Sequence, residues 1–238
     1  MEIPLWNTSF LAPVLALSTL TIGFSLYHFA GISKNLKQRF IQKYGNERGA
    51  THFLWFSRYL GSLSIGLIPF TIALLVLDKT PADLGFSFKN TGSSLLWIGA
   101  LALLIIPMNF FNARKPKNLA FYPNVREKKW TKGMVAHNAF TWVAYLFGYE
   151  LMFRGFLLFA TVDLMGEWPA IILNTALYAL VHVPKNLEET IGAVPLGLLL
   201  CLITLSTGTF WVAFGVHVCL ALSNFFFSLR SHPEMQIS

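Results

Sequence analysis

Glu150 and Arg154 stand four residues apart in an otherwise apolar run, Phe147-Gly148-Tyr149-Glu150-Leu151-Met152-Phe153-Arg154-Gly155. That spacing puts both on one helix face with the glutamate first, the order in which such a pair attracts. Pairing keeps the carboxylate ionised and aims it; a buried ion pair that only fixes helix packing is the plainer use of the same residues. Asn174, Tyr178 and His182 follow at four-residue intervals, so an amide, a phenol and an imidazole line one stripe of an apolar helix. His217 lies among Gly215, Val216, Val218 and Cys219, with no acid near it on its own helix. A carboxylate and two histidines on three helices can activate water for attack on a carbonyl. They do so by general-base action with hydrogen-bond donors at the oxyanion, or through a bound divalent metal. Glu150, His182 and His217 are also zinc ligand types, although the HExxH signature is absent, and the choice between the two routes stays open. His28, His52, His137 and His232 fall at predicted span ends or in the tail, where an imidazole needs no function.

These residues stand out because their surroundings are built for lipid. The 238 residues are 55% hydrophobic and 12% charged, about half the charged fraction of a soluble domain. The two cysteines, Cys201 and Cys219, lie inside apolar runs and cannot frame a disulfide scaffold. The net charge of +7 sits in short loops between apolar stretches, which points to the membrane surface and away from nucleic acid.

A spanning helix needs about 20 mostly apolar residues. Seven segments are read against that template, at 10–32, 53–77, 93–111, 134–163, 168–183, 190–205 and 209–229, with the fifth and sixth short. The sequence therefore predicts an all-α fold, a polytopic membrane bundle of about seven transmembrane helices. Met1 to Trp6 lack the basic region of a secretory signal, which predicts a retained first span. Of the 18 lysines and arginines, fifteen fall in one alternate set of loops, counting Arg58 and Lys185, and only Lys79 and Lys89 in the other. By the positive-inside rule the N-terminus is outside and the C-terminus inside. The stretch from Lys115 to Lys132, with Phe121, Tyr122 and Trp130 among its charges, reads as an interfacial segment. Gly61, Ser62, Ser64 and Gly66 are small enough to let another helix approach closely. Residues 1–119 hold about three spans with basic loops and 120–230 about four, in a single integrated membrane domain.

At the polar residues the chain resembles the CPBP family, the CAAX protease and bacteriocin-processing (Abi) intramembrane proteases that include the type II CAAX prenyl endopeptidases. The family's Glu-Glu-x-x-x-Arg helix is matched by Tyr149-Glu150-Leu151-Met152-Phe153-Arg154. Its aromatic-x-x-x-His helix is matched by Tyr178-Ala179-Leu180-Val181-His182, and its last helix by His217-Val218-Cys219-Leu220-Ala221. The likeness covers about residues 120–230. It implies a multi-pass protein of a bacterial cytoplasmic membrane with Glu150, His182, His217 and Arg154 in its site. Two positions depart. Tyr149 replaces the glutamate usually regarded as the base, so Glu150 matches the second, supporting one, and Ala221 replaces an asparagine. Glu188 or Glu189, six and seven residues after His182, is a substitute carboxylate if the Pro184 loop dips inward, and a solvated loop acid otherwise.

Together these readings point to an endopeptidase that cuts a membrane-anchored or prenylated polypeptide near the cytoplasmic surface. Two alternatives accompany it. A member of the family that has lost the chemistry would act as a binding or immunity scaffold. A transporter would also carry intramembrane Glu and His, but predicts pseudosymmetric halves, whereas the polar residues here cluster after Tyr149.

Overall fold

The computed structural model describes residues 7–184 and 187–238. The expectation on residues 1–6 and the count of Lys185 as a loop charge lie outside them. The helices are α1 (Leu11–Ile32), α2 (Lys34–Tyr44), α3 (Asn46–Gly61), α4 (Ile68–Val76), α5 (Thr91–Asn112), α6 (Pro116–Phe121), α7 (Lys132–Glu150), α8 (Leu158–Met165), α9 (Glu167–Leu180), α10 (Leu187–Thr207) and α11 (Trp211–Ser231). Two π-helical segments, Ser62–Leu67 and Leu151–Leu157, join α3 to α4 and α7 to α8 without a break. Lys129–Trp130 (β1) pairs in parallel with Gln236–Ile237 (β2).

Among the described residues, six helices are long and apolar enough to cross a membrane: Thr8–Ile32, Asn46–Val76, Thr91–Asn112, Lys132–Met165, Leu187–Thr207 and Trp211–Ser231. The fifth predicted span is shorter than expected. Gly166, at φ 82°, breaks the chain after α8, and α9 has 14 residues, about 21 Å against the roughly 30 Å of a hydrocarbon core.

Contacts nonetheless separate two ends of the bundle. At one end Lys79 pairs with Asp163, Thr209 Oγ1 donates to the Ser87 carbonyl at 2.7 Å and Asn90 Nδ2 to the Thr207 carbonyl at 2.8 Å. At the other Thr51 Oγ1 donates to Glu127 at 3.1 Å, Lys117 pairs with Glu188, and Tyr122 donates to Glu189 at 2.8 Å. Helix α9 leads from the first end to the second, so the described residues pass seven times between the two ends, once on a helix too short to span.

The fourth span is the central one: 78% of its most apolar window is buried, against 39% or less in every other span. The small-residue stripe of the second span explains how it gets there. A Cβ on Gly66 would overlap the Gly148 backbone, one on Gly148 would overlap Ser62, and Gly61 lies under the Tyr145 ring. The first π segment is thus brought against the last turns of α7 with little side chain between the backbones. Ser64 Oγ adds a 3.1 Å hydrogen bond to the Gly23 carbonyl of α1.

Trp130, in the stretch read as interfacial, is fully buried within the protein, packs on Phe225 and donates its indole N–H to the Glu127 carbonyl at 2.7 Å. One expectation is corrected. Arg58 is not a loop charge, because α3 continues through it into the second span and leaves it 4% exposed.

Candidate active site

Glu150 is the last residue of α7, and Arg154 lies inside the wide turn that follows. Segments of this kind, with one more residue per turn, recur at functional sites. Arg154 Nη1 donates to Glu150 Oε2 at 3.1 Å and lies 3.4 Å from Oε1. His217, from α11, brings Nδ1 to 2.6 Å from Glu150 Oε1. The acid missing from His217's own helix is therefore supplied by another. Glu150 and Arg154 are fully buried, which makes the pair worth far more as a unit than either member alone.

The stripe of Asn174 and Tyr178 on α9, continued by His182 in the turn after it, packs against the π segment, and each member has a separate task. Asn174 Nδ2 donates to the Phe153 carbonyl at 2.5 Å, while its Oδ1 accepts from Cys201 Sγ at 3.3 Å. Tyr178 covers the Arg154 guanidinium, 3.9 Å from ring centroid to Cζ. His182 holds its Nδ1 2.7 Å from the Tyr178 carbonyl. A carbonyl only accepts, so Nδ1 of His182 carries a proton. The same logic applies to His217, whose Nδ1 faces a carboxylate. Gly197 of α10 permits this packing: a Cβ there would lie 3.1 Å from the Tyr178 ring and 3.5 Å from Arg154 Nη2.

His182 joins the group through aromatic rings. The Tyr149 ring lies 6.2 Å from His182 and 5.9 Å from His217, nearly perpendicular to both, and the Tyr178 ring lies 4.7 Å from His182 and 6.3 Å from His217. The Tyr149 hydroxyl is buried with no hydrogen-bond partner among the described residues. Leaving such a group unmet costs about 1–3 kcal/mol. It is a donor without an acceptor, beside two imidazoles. Glu150, Arg154, His182, His217 and Tyr149 thus form one cluster drawn from α7, the π segment, the turn after α9 and α11.

The donor set does not fit a zinc ion. Both oxygens of Glu150 are engaged by Arg154 and His217, and a guanidinium beside the carboxylate repels a second cation. Among the described residues no group of three or more His, Cys, Asp or Glu side chains converges as ligands. Glu188 and Glu189 meet the stretch between α5 and α7, on Lys117 and Tyr122. The four remaining histidines lie as expected at the ends: His28 stacks on Phe24, His52 on Tyr44, His137 lies beside Trp55, and His232 lies 3.3 Å from Arg126.

Sequence reasoning missed Arg58 as a buried group. Its signal was present, since Arg58 falls inside the second predicted span at 53–77, where any charge asks for a reason.

No curated protein and no solved structure matches the chain. Residues 131–223 match the type II CAAX prenyl endopeptidase, Rce1-like family, so the family resembled by the motifs of Glu150, His182 and His217 is also the one matched across the helices that carry them.

Proposed function

We propose that the protein is an intramembrane endopeptidase that hydrolyses a peptide bond of a membrane-anchored or prenylated polypeptide, without a metal. The observation that supports this best is the joining of Glu150 to His217 and Arg154, with His182 across the Tyr149 ring. Glu150 and Arg154 act as positioning residues, consistent with the resemblance of Glu150 to the family's supporting glutamate. Fixed through Nδ1, His217 uses Nε2 to take a proton from water as the oxygen attacks the carbonyl, and the Glu150 carboxylate stabilises the imidazolium that forms. The Tyr149 hydroxyl donates to the oxyanion. Collapse of the tetrahedral intermediate breaks the C–N bond, and the proton held by His217 passes to the leaving nitrogen. His182 orients the water. The basic end of the bundle faces the cytoplasm, with the N-terminus outside and the C-terminus inside, and substrate enters from that end.

The test is cleavage of a fluorogenic prenylated peptide by the purified protein in liposomes, for wild type, His217→Ala and Glu150→Gln. Wild type cuts and both variants fall to background. A second reading draws on Tyr149 and Ala221, which remove a carboxylate and an amide that the family's pattern contains: a scaffold that binds its partner without cutting it. If wild type never cuts while Tyr149→Glu combined with Ala221→Asn does, the scaffold reading holds and the peptidase reading falls.

A further inference from the structure

Asn174 is fully buried on an apolar helix, where an amide is costly unless its hydrogen bonds are met. Both sides of it are met. Its Oδ1 accepts from Cys201 Sγ of α10 at 3.3 Å, and its Nδ2 donates to the Phe153 carbonyl, inside the π segment, at 2.5 Å. A carbonyl only accepts, so the amide cannot sit the other way round. The same carbonyl takes the backbone N–H of Leu158, five residues on, which is the bond of a wide turn. In an ordinary turn it would take the N–H of Leu157, four residues on. A donor arriving from α9 tilts the Phe153 carbonyl away from the helix axis, lengthens the ordinary bond and favours the wide turn.

Arg154 is the next residue, and each of three successive positions is met by a different element. Phe153 is met by Asn174, Arg154 is covered by Tyr178, one turn further along α9, and Gly155 lies against the Leu84 carbonyl, 3.0 Å from where a Cβ would stand. A turn with one more residue advances each residue by a smaller angle, so the width of this turn decides where the Arg154 side chain points. We infer that Asn174 is a positioning residue: it holds the Phe153 carbonyl in the wide turn and so sets the direction in which Arg154 meets Glu150. The contacts run from Cys201 through Asn174, Phe153, Arg154 and Glu150 to His217. The effect of Asn174 on cleavage rests on the peptidase reading, whereas its effect on the ion pair does not. An asparagine that only joined two helices would cost the same when lost, whatever stood at positions 150 and 154.

The test places Asn174→Leu, close in volume and without a donor, in two backgrounds of the full chain. One is wild type. The other carries Glu150→Met with Arg154→Leu and has no ion pair to aim. Asn174→Leu should lower the thermal midpoint in detergent in the first background, and by less than about half as much in the second, because coupled sites are not additive. On prenylated peptide in liposomes it should lower kcat about ten- to a hundred-fold in the first background, with KM within about two-fold of wild type. Asn174→Ser, one atom shorter, serves the same comparison should the leucine variant not fold. Equal midpoint losses in the two backgrounds overturn the inference, and so does an unchanged kcat. A change confined to KM overturns it as well, by assigning Asn174 to substrate binding. Equal losses beside a wild type that cuts remove the positioning role alone. Unequal losses in a protein that cuts nothing keep Asn174 as the residue that aims the pair and remove the peptidase reading.

Discussion

Arg58 and Arg154 are both buried in the bundle and both stacked on an aromatic ring, at 4.0 Å on Trp142 and 3.9 Å on Tyr178, yet they are used in opposite ways. Arg154 faces a carboxylate and is sealed, to the point that its Nε and Nη2 are buried without hydrogen-bond partners among the described residues. Arg58 faces an amide and a hydroxyl and keeps an edge on a cavity. A charge that meets its counterion inside the fold is part of the architecture. One that meets only neutral dipoles is left with a field that a ligand can satisfy.

The largest effect should come from breaking the sealed pair. Glu150→Leu leaves Arg154 buried and unpaired and releases His217, so thermal unfolding in detergent should show a loss of about 3–5 kcal/mol. Glu150→Met combined with Arg154→Leu should recover most of that stability and none of the cleavage, because an apolar pair replaces the ion pair without holding the imidazole. Recovery of both would mean that the pair is packing alone.

Next comes Tyr149→Phe, where stability and activity should move apart. Removing an unpartnered buried hydroxyl should leave stability unchanged or raise it by about 1 kcal/mol. The turnover of prenylated peptide should fall about 100-fold if that hydroxyl meets the oxyanion. Unchanged turnover removes it from the chemistry.

Smaller effects are expected outside the spans. Burial, and then the Glu189 carboxylate beside it, hold the Tyr122 phenol above its ordinary value. The neutral phenol is favoured in the folded state, so its contribution is complete below the unfolded value of about 10 and is lost as pH rises beyond it. Tyr122→Phe should flatten the fall in thermal midpoint above pH 10 and loosen the wall of the Arg58 cavity. The smallest effect belongs to Asp83, held below the usual carboxylate range by the Thr80 hydroxyl and backbone N–H. Its contribution is present above the ordinary value of about 4 and is lost as pH falls through the lower folded value. Asp83→Asn should make the acid side of the melting profile slightly flatter and leave pH 7 unchanged.

What could be read beforehand followed a simple division. The long apolar runs, the Glu150 and Arg154 spacing, the stripe of Asn174, Tyr178 and His182 and the close-packing residues around Gly66 are all local patterns, and each appears in the fold. The partner of His217 lies 67 positions away, and no local pattern could assign Glu150 to it. The α9 break rests on the positive φ of Gly166, which a hydropathy window averages away. Arg58 was missed for another reason. A rule that counts positive charges near span ends assigned it to the loops before its own depth had been weighed.

The π segment at Leu151–Leu157 has a consequence for how such a site varies by insertion and deletion. A helix that drops one residue turns everything beyond that point by about 100°. Deleting a single apolar residue between Glu150 and Arg154 would shorten the chain by one and keep its hydropathy and every charged group, and the wide turn could close to an ordinary one, yet the angle between the two side chains about the helix axis would change and draw Arg154 off Glu150. In this bundle it would uncouple the carboxylate from its guanidinium while leaving both side chains in the chain, a loss visible only in the helical phase.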